Sequence, residues 1–125
     1  MAERRHRVEW AEIALLDVYQ IVTRLAQDSP PAARRVAALF DKRVRSLRRM
    51  PGRGRRVPEL VALGIHDRRE LIAHPYRIVY RIDDRVVWVQ GVFDGRRDLQ
   101  TALFERTIRT DTRDPSRRRL AISAS

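Results

Sequence analysis

Cysteine is absent from the 125 residues, which excludes disulfides, Cys-ligated zinc, iron–sulfur clusters and thiol catalysis together. Lysine is almost absent: of 27 basic residues only Lys42 is not arginine. Acid is scarce, with 16 Asp and Glu, so the chain carries a formal charge of +11. No apolar run approaches the roughly 18–20 residues that a membrane span needs. The charged start from Met1 to Arg7 has no apolar stretch behind it and does not read as a secretory signal, so a soluble, cytoplasmic protein is expected. Three histidines are present. His66 and His74 are eight residues apart without the i, i+4 spacing of a helical zinc pair, so neither a metal nor a cofactor is expected.

What remains is enough for one folded domain. The length fits a single core, and hydrophobic residues make up 43%. The excess of guanidinium predicts an attractive field for a polyanion, either a nucleic acid or an acidic protein.

The apolar pattern predicts the order β-α-α-β-β-β. Arg7 to Trp10 alternates as a short strand. Leu15, Val18, Tyr19, Val22 and Ala26 then mark a helical stripe. Asp28 to Pro31 breaks it, with Ser29 as the cap of a second helix and proline in its first turn. That helix buries Ala33, Val36, Ala37, Phe40, Val44 and Leu47 and runs to about Met50. Residues 55–66 read as an irregular connection. Strands follow at Glu70–Ala73, Tyr76–Ile82 and Val86–Phe93, with a turn at Asp83–Asp84 between the last two. Asp98 is placed to cap a short C-terminal helix through Leu99, Ala102, Leu103 and Ile108. The fold class is therefore α+β: a helical hairpin on an antiparallel sheet, spanning residues 1–109, with residues 110–125 as a charged, disordered tail.

Serine chemistry finds no support, because no G-x-S-x-G elbow exists and Gly52-Arg53-Gly54 lacks the surroundings of a phosphate loop. The cations are more informative. Residues 34–56 hold ten of them against one acid, Asp41. A solvated face would mix signs and gain i, i+4 pairs, so this imbalance points to a neutralising partner. A second group, Arg68, Arg69, Arg77, Arg81, Arg96 and Arg97, lies at the strand ends and is expected to converge on a concave, guanidinium-rich site. The competing reading pairs these arginines with Glu70, Asp83, Asp84 and Asp98.

Several segments in order resemble the RelE/ParE superfamily of toxins from type II toxin–antitoxin modules. They are Val8-Glu9-Trp10, Ser29-Pro30, Pro51, Gly54 to Glu59, Arg69-Glu70-Leu71, Pro75 to Arg81, and Val92 to Asp98. The resemblance covers about residues 7–109 and implies growth arrest, plasmid stabilization and an acidic cognate antitoxin. In a RelE-like member, a ribosome-dependent mRNA endoribonuclease, Arg69, Arg77, Arg81 and Arg97 would act on RNA. Such a toxin carries a tyrosine about six residues beyond Arg97, where this chain has Leu103 and Phe104, neither able to transfer a proton. The long hairpin, the Gly54-to-Glu59 segment and the ending Gly95-Arg96-Arg97-Asp98-Leu99 resemble the ParE-like branch better. That branch implies inhibition of DNA gyrase and of replication, without catalysis. Target contacts are then expected from Arg96, Arg97, Leu99, Leu103 and Phe104, and antitoxin contacts from Arg34, Arg45, Arg48 and Arg77. A nontoxic binding module is the third reading.

Overall fold

The computed structural model describes residues 5–96 together with Gln100, Ala102, Leu103 and Arg106. A first strand, β1 (Arg7–Trp10), leads into helix α1 (Glu12–Asp28) and helix α2 (Pro30–Arg45). Two 3-10 turns, Ser46–Arg48 and Pro51–Arg53, carry the chain to a two-residue strand, β2 (Arg55–Arg56). A single helical turn, α3 (Pro58–Val61), precedes the meander of β3 (Arg68–Ala73), β4 (Tyr76–Asp83) and β5 (Val86–Asp94). The five strands lie in the order β1-β5-β4-β3-β2, all antiparallel except β1, which runs parallel to β5. No described helix is long and apolar enough to cross a membrane.

Local chemistry accounts for the hairpin. Ser29 alone joins the helices, a tighter link than the four-residue break that Asp28 to Pro31 predicts. Its backbone N–H closes α1 on the Leu25 carbonyl, and its Oγ accepts from the Ala32 N–H at 3.2 Å to cap α2. Pro30 and Pro31 occupy the first helical positions, where a missing N–H costs nothing. The inward face of α2 is as its periodicity predicts, with Ala33, Phe40 and Val44 buried and Leu47 following in the 3-10 turn. That of α1 is not. The helix packs through Ala14, Val18, Ile21 and Leu25, whereas Leu15 (53% exposed) and Tyr19 (67% exposed) face outward. Apolar residues cover more than half of the circumference of α1, so periodicity offers two stripes. The close approach to β5 selects the one with the small Ala14.

One irregularity sets the sheet's inner face. Tyr80 stands opposite Val89 and Val79 opposite Gly91, which leaves Gln90 as an extra residue on β5. Strict alternation would send Val92 to the wrong side. The bulge returns it, so Val87, Val89 and Val92 join Leu71, Ala73, Tyr76, Ile78 and Tyr80 against the hairpin. Phe40 and Tyr76 meet edge-on at 5.3 Å. The other face carries a smaller cluster, Val57, Leu60, Val79 and Leu103, with Ile65 and Phe93 packed against it.

Three sequence expectations are corrected. Residues 55–66 are not wholly irregular: β2 and α3 form there, too short for any period to be visible. The last hairpin turns at Asp84–Arg85, one residue later than expected, with Asp84 taking a φ of 56°. The sheet is not wholly antiparallel, because of β1. Arg97, Leu99, Phe104 and the tail 110–125 lie outside the described residues.

Candidate functional site

The site is built outward from Tyr80. Its buried ring lies under the hairpin, and its hydroxyl donates to the Pro51 carbonyl at 2.6 Å and accepts from the Gly54 N–H at 2.9 Å. Burial pushes the phenol pKa up, against the pull of the Gly54 N–H and of Arg69 and Arg53 nearby. Gly54 fits only without a side chain: a Cβ there would meet the Glu70 carbonyl at 2.5 Å and the Tyr80 hydroxyl at 2.6 Å. This contact holds β2 in register against β3, with Arg55 opposite Glu70 and Arg56 opposite Arg69.

On the face turned away from the hairpin, that register assembles four charges. The Glu70 side chain has no solvent exposure. It accepts from Arg55 Nε at 2.7 Å and from Arg77 Nε and Nη2 at 2.6 and 3.0 Å. Glu59, presented by α3, receives Arg77 Nη1 and Nη2, each at 2.6 Å. Arg77, whose side chain is 12% exposed, is thus gripped by two carboxylates, and the cluster of two guanidiniums and two carboxylates is neutral overall. The hydrogen bonds from Arg77 hold the Glu59 carboxyl below its usual range despite partial burial. Those from Glu59, then Glu70, raise the Arg77 guanidinium in turn.

Among the described residues the expected concave cluster of strand arginines is not assembled. Arg77 and Arg81 share a face, and Arg81 stands opposite both Arg68 and Trp88 in the register. Arg69 belongs to the other face, since it alternates in phase with Leu71 and Ala73, and it donates to the Gly54 carbonyl at 2.8 Å. Arg96 sits at the far end of the sheet, exposed and paired with Asp94 at 2.7 Å, which raises its guanidinium pKa. Leu103, expected to touch a target, is buried against Val57, Leu60 and Val79 and so supports the fold there. Of the residues expected to meet an antitoxin, Arg34, Arg45 and Arg48 are exposed on α2 and the turn after it, with Arg45 bonded to Asp41 at 2.6 Å. Arg77 is committed inside the protein. His66 and His74 are exposed, and among the described residues no three His, Asp or Glu side chains are grouped to hold a metal.

Sequence reasoning missed Asp17. Pairing with β1 ends at Val89, and the Asp17 carboxylate takes over the open edge, accepting from the Val92 N–H at 2.9 Å. The same carboxylate receives Arg106 at 3.1 and 3.3 Å, and Arg106 lies 4.9 Å over the Phe93 ring. An acid amid the apolar run of α1 was the available signal. Glu59 and Glu70 were visible as sequence, but their partner was not.

Comparison with known proteins adds to this geometry. A family model described as "ParE toxin of type II toxin-antitoxin system, parDE" matches residues 8–99. No match is found among curated proteins. Among solved structures, the chromosomal ParDE toxin–antitoxin system from P. aeruginosa is similar at a TM-score of 0.58 and 15% identity, covering 73% of this chain and 97% of that one. The RelBE2 toxin–antitoxin complex from Mycobacterium tuberculosis is similar at 0.53 and 22% identity, covering 72% and 98%. Both likenesses speak to the fold.

Proposed function

The chain belongs to the ParE toxin family of type II toxin–antitoxin systems, and from that premise we propose that it arrests growth by inhibiting DNA gyrase, without cleaving RNA, until a cognate acidic antitoxin neutralises it. One observation carries the choice between the two mechanisms. A RelE-like nuclease would need Arg77 free to meet a phosphate, and here Glu59 and Glu70 engage its Nε and both terminal nitrogens at 2.6–3.0 Å. Releasing Arg77 would leave the fully buried Glu70 carboxylate with the largely exposed Arg55 as its remaining partner and would take from Glu59 the cation that grips it. The position near which a nuclease carries its proton-transferring tyrosine is likewise taken up by the buried Leu103. A toxin that acts by forming a stable complex needs no such group, since its free energy goes into binding and not into a transition state. An antitoxin partner suits the charge of +11, and the structural neighbours are themselves toxin–antitoxin complexes.

Supercoiling by purified gyrase is the direct test. Added toxin should inhibit it and accumulate cleaved DNA, while primer extension on translated mRNA shows no new ends. Codon-spaced cuts in the mRNA with supercoiling intact would establish the nuclease instead. Expression that leaves growth unaffected would leave only the nontoxic module. His74 and Tyr76 flank Pro75 and are the titratable groups nearest Arg77 in sequence. His74→Ala and Tyr76→Phe should each keep toxicity within a few-fold, whereas a true general acid or base is worth about 10²–10⁴ in rate. The readout is growth after induction, with folding checked by circular dichroism.

A further inference from the structure

Positive charge is spread unevenly over the chain. From Lys42 to Arg56 there are eight basic residues and no acid. Arg45 reaches back to Asp41, and Arg55 is held by Glu70. Among the described residues, Arg48, Arg49, Arg53 and Arg56 have no carboxylate at ion-pair distance. The two 3-10 turns bring this stretch under the end of the sheet where β3 begins and β4 finishes, since Tyr80 ties Pro51 and Gly54 there. At that end lies an open groove of about 610 Å³, walled by Arg56, Arg69 and His66 with Ile65 and Ile82 between them. Asp67, an acid on its wall, is engaged by Arg68. Arg69 is steadied by the carbonyls of Gly54 and Gly52, and Arg53 is near enough to act with it on the Tyr80 hydroxyl.

We propose that this groove binds the phosphodiester backbone of a nucleic acid. Arg56 and Arg69 supply planar forks of donors that match phosphate oxygens, His66 adds a third donor, and the two isoleucines offer an apolar floor to sugar or base. Arg53, close enough to the Tyr80 hydroxyl to act on it together with Arg69, adds positive charge beside the groove. An acidic peptide that folds on binding fits less well, because it must recover its ordering entropy from a broad apolar strip, and two isoleucines do not make one. The proposal does not depend on the gyrase reading, which supercoiling tests separately, and of the residues that the ribonuclease alternative would use the groove contains Arg69. It uses none of the residues assigned to the Arg77 cluster.

Fluorescence anisotropy with the purified full chain tests it. Labelled single-stranded DNA, duplex DNA, RNA of the same sequence and poly-glutamate serve as probes across a salt series. At least one nucleic acid should bind with an affinity that falls steeply with salt, and the preferred form identifies the source of the backbone. Arg56→Glu and, separately, Arg53→Glu should weaken binding about tenfold and lower the salt slope by about one. Arg24→Glu makes the same charge change on α1, away from the groove, and should cost far less. Equal losses from Arg24→Glu, equal affinity for poly-glutamate, or no nucleic-acid binding in folded protein would each overturn the proposal.

Discussion

Arg55 and Arg56 are neighbours in sequence, identical in chemistry, and opposite in fate. Arg55 lies across from Glu70 and pairs with it at 2.7 Å, while Arg56 lies across from Arg69 and faces an open groove. A strand turns successive side chains to opposite faces, so a one-residue step separates a compensated charge from an uncompensated one. On the Glu70 face two arginines and two carboxylates form a neutral cluster that fastens β2 and α3 to the sheet. On the Arg69 face like charges accumulate, which costs stability and is favourable only if something anionic comes to meet them. At β2 the Glu70 side reads as architecture, and the Arg69 side, at the edge of the face that packs the hairpin, reads as recognition.

Breaking the compensated side should have the largest effect. Arg77→Met leaves the buried Glu70 with Arg55 alone and Glu59 with no cation of its own, so unfolding in urea should show a loss of about 3–5 kcal/mol. Gly54→Ala comes next. Its methyl has no room beside the Glu70 carbonyl and the Tyr80 hydroxyl, and displacing β2 should cost about 1–3 kcal/mol by the same measurement. A smaller effect should appear on titration. Because the fold lowers the Glu59 pKa, its contribution is present above the ordinary glutamate value and is lost as pH falls through the lower folded value. The stability gap between the wild type and Glu59→Gln, about 1 kcal/mol at neutral pH for a partly exposed pair, should therefore close in acid. The smallest effect belongs to the open side. Arg56→Glu should change stability by no more than about 0.5 kcal/mol, because it replaces an exposed like-charge pair with Arg69 by an exposed ion pair, and such pairs are worth little. A large loss there would erase the contrast between the two faces.

Much of the architecture is legible without coordinates. Ser29 before two prolines marks the hairpin, the rhythm from Ala33 to Leu47 marks the buried face of α2, and alternation from Tyr76 to Ile82 marks β4. The failures are specific. On α1 the apolar positions outnumber those the core can use, so the exposed Leu15 and Tyr19 look as suitable as the buried Ala14 and Ile21. The bulge at Gln90, which returns Val92 to the hairpin face, leaves no mark in a run that is apolar almost throughout. The arginines of the sheet were expected to gather on one site. Their distribution over two faces follows from the register of β2 and β3, and the two-residue β2 is too short to announce itself.

The sequence by itself determined the break between the two long helices, the burial of α2, the order of the meander and membership in a toxin family, because caps, breaks and periodicity are properties of the local backbone. It also determined the charge of +11. Only the tertiary structure decided what each charge is for. An arginine's partner is whatever the register sets across from it, and here that is a carboxylate for Arg55 and another arginine for Arg56. Electrostatic energy depends on such separations through space, and Glu59 and Arg77 are 18 residues apart in the chain yet 2.6 Å apart in the fold.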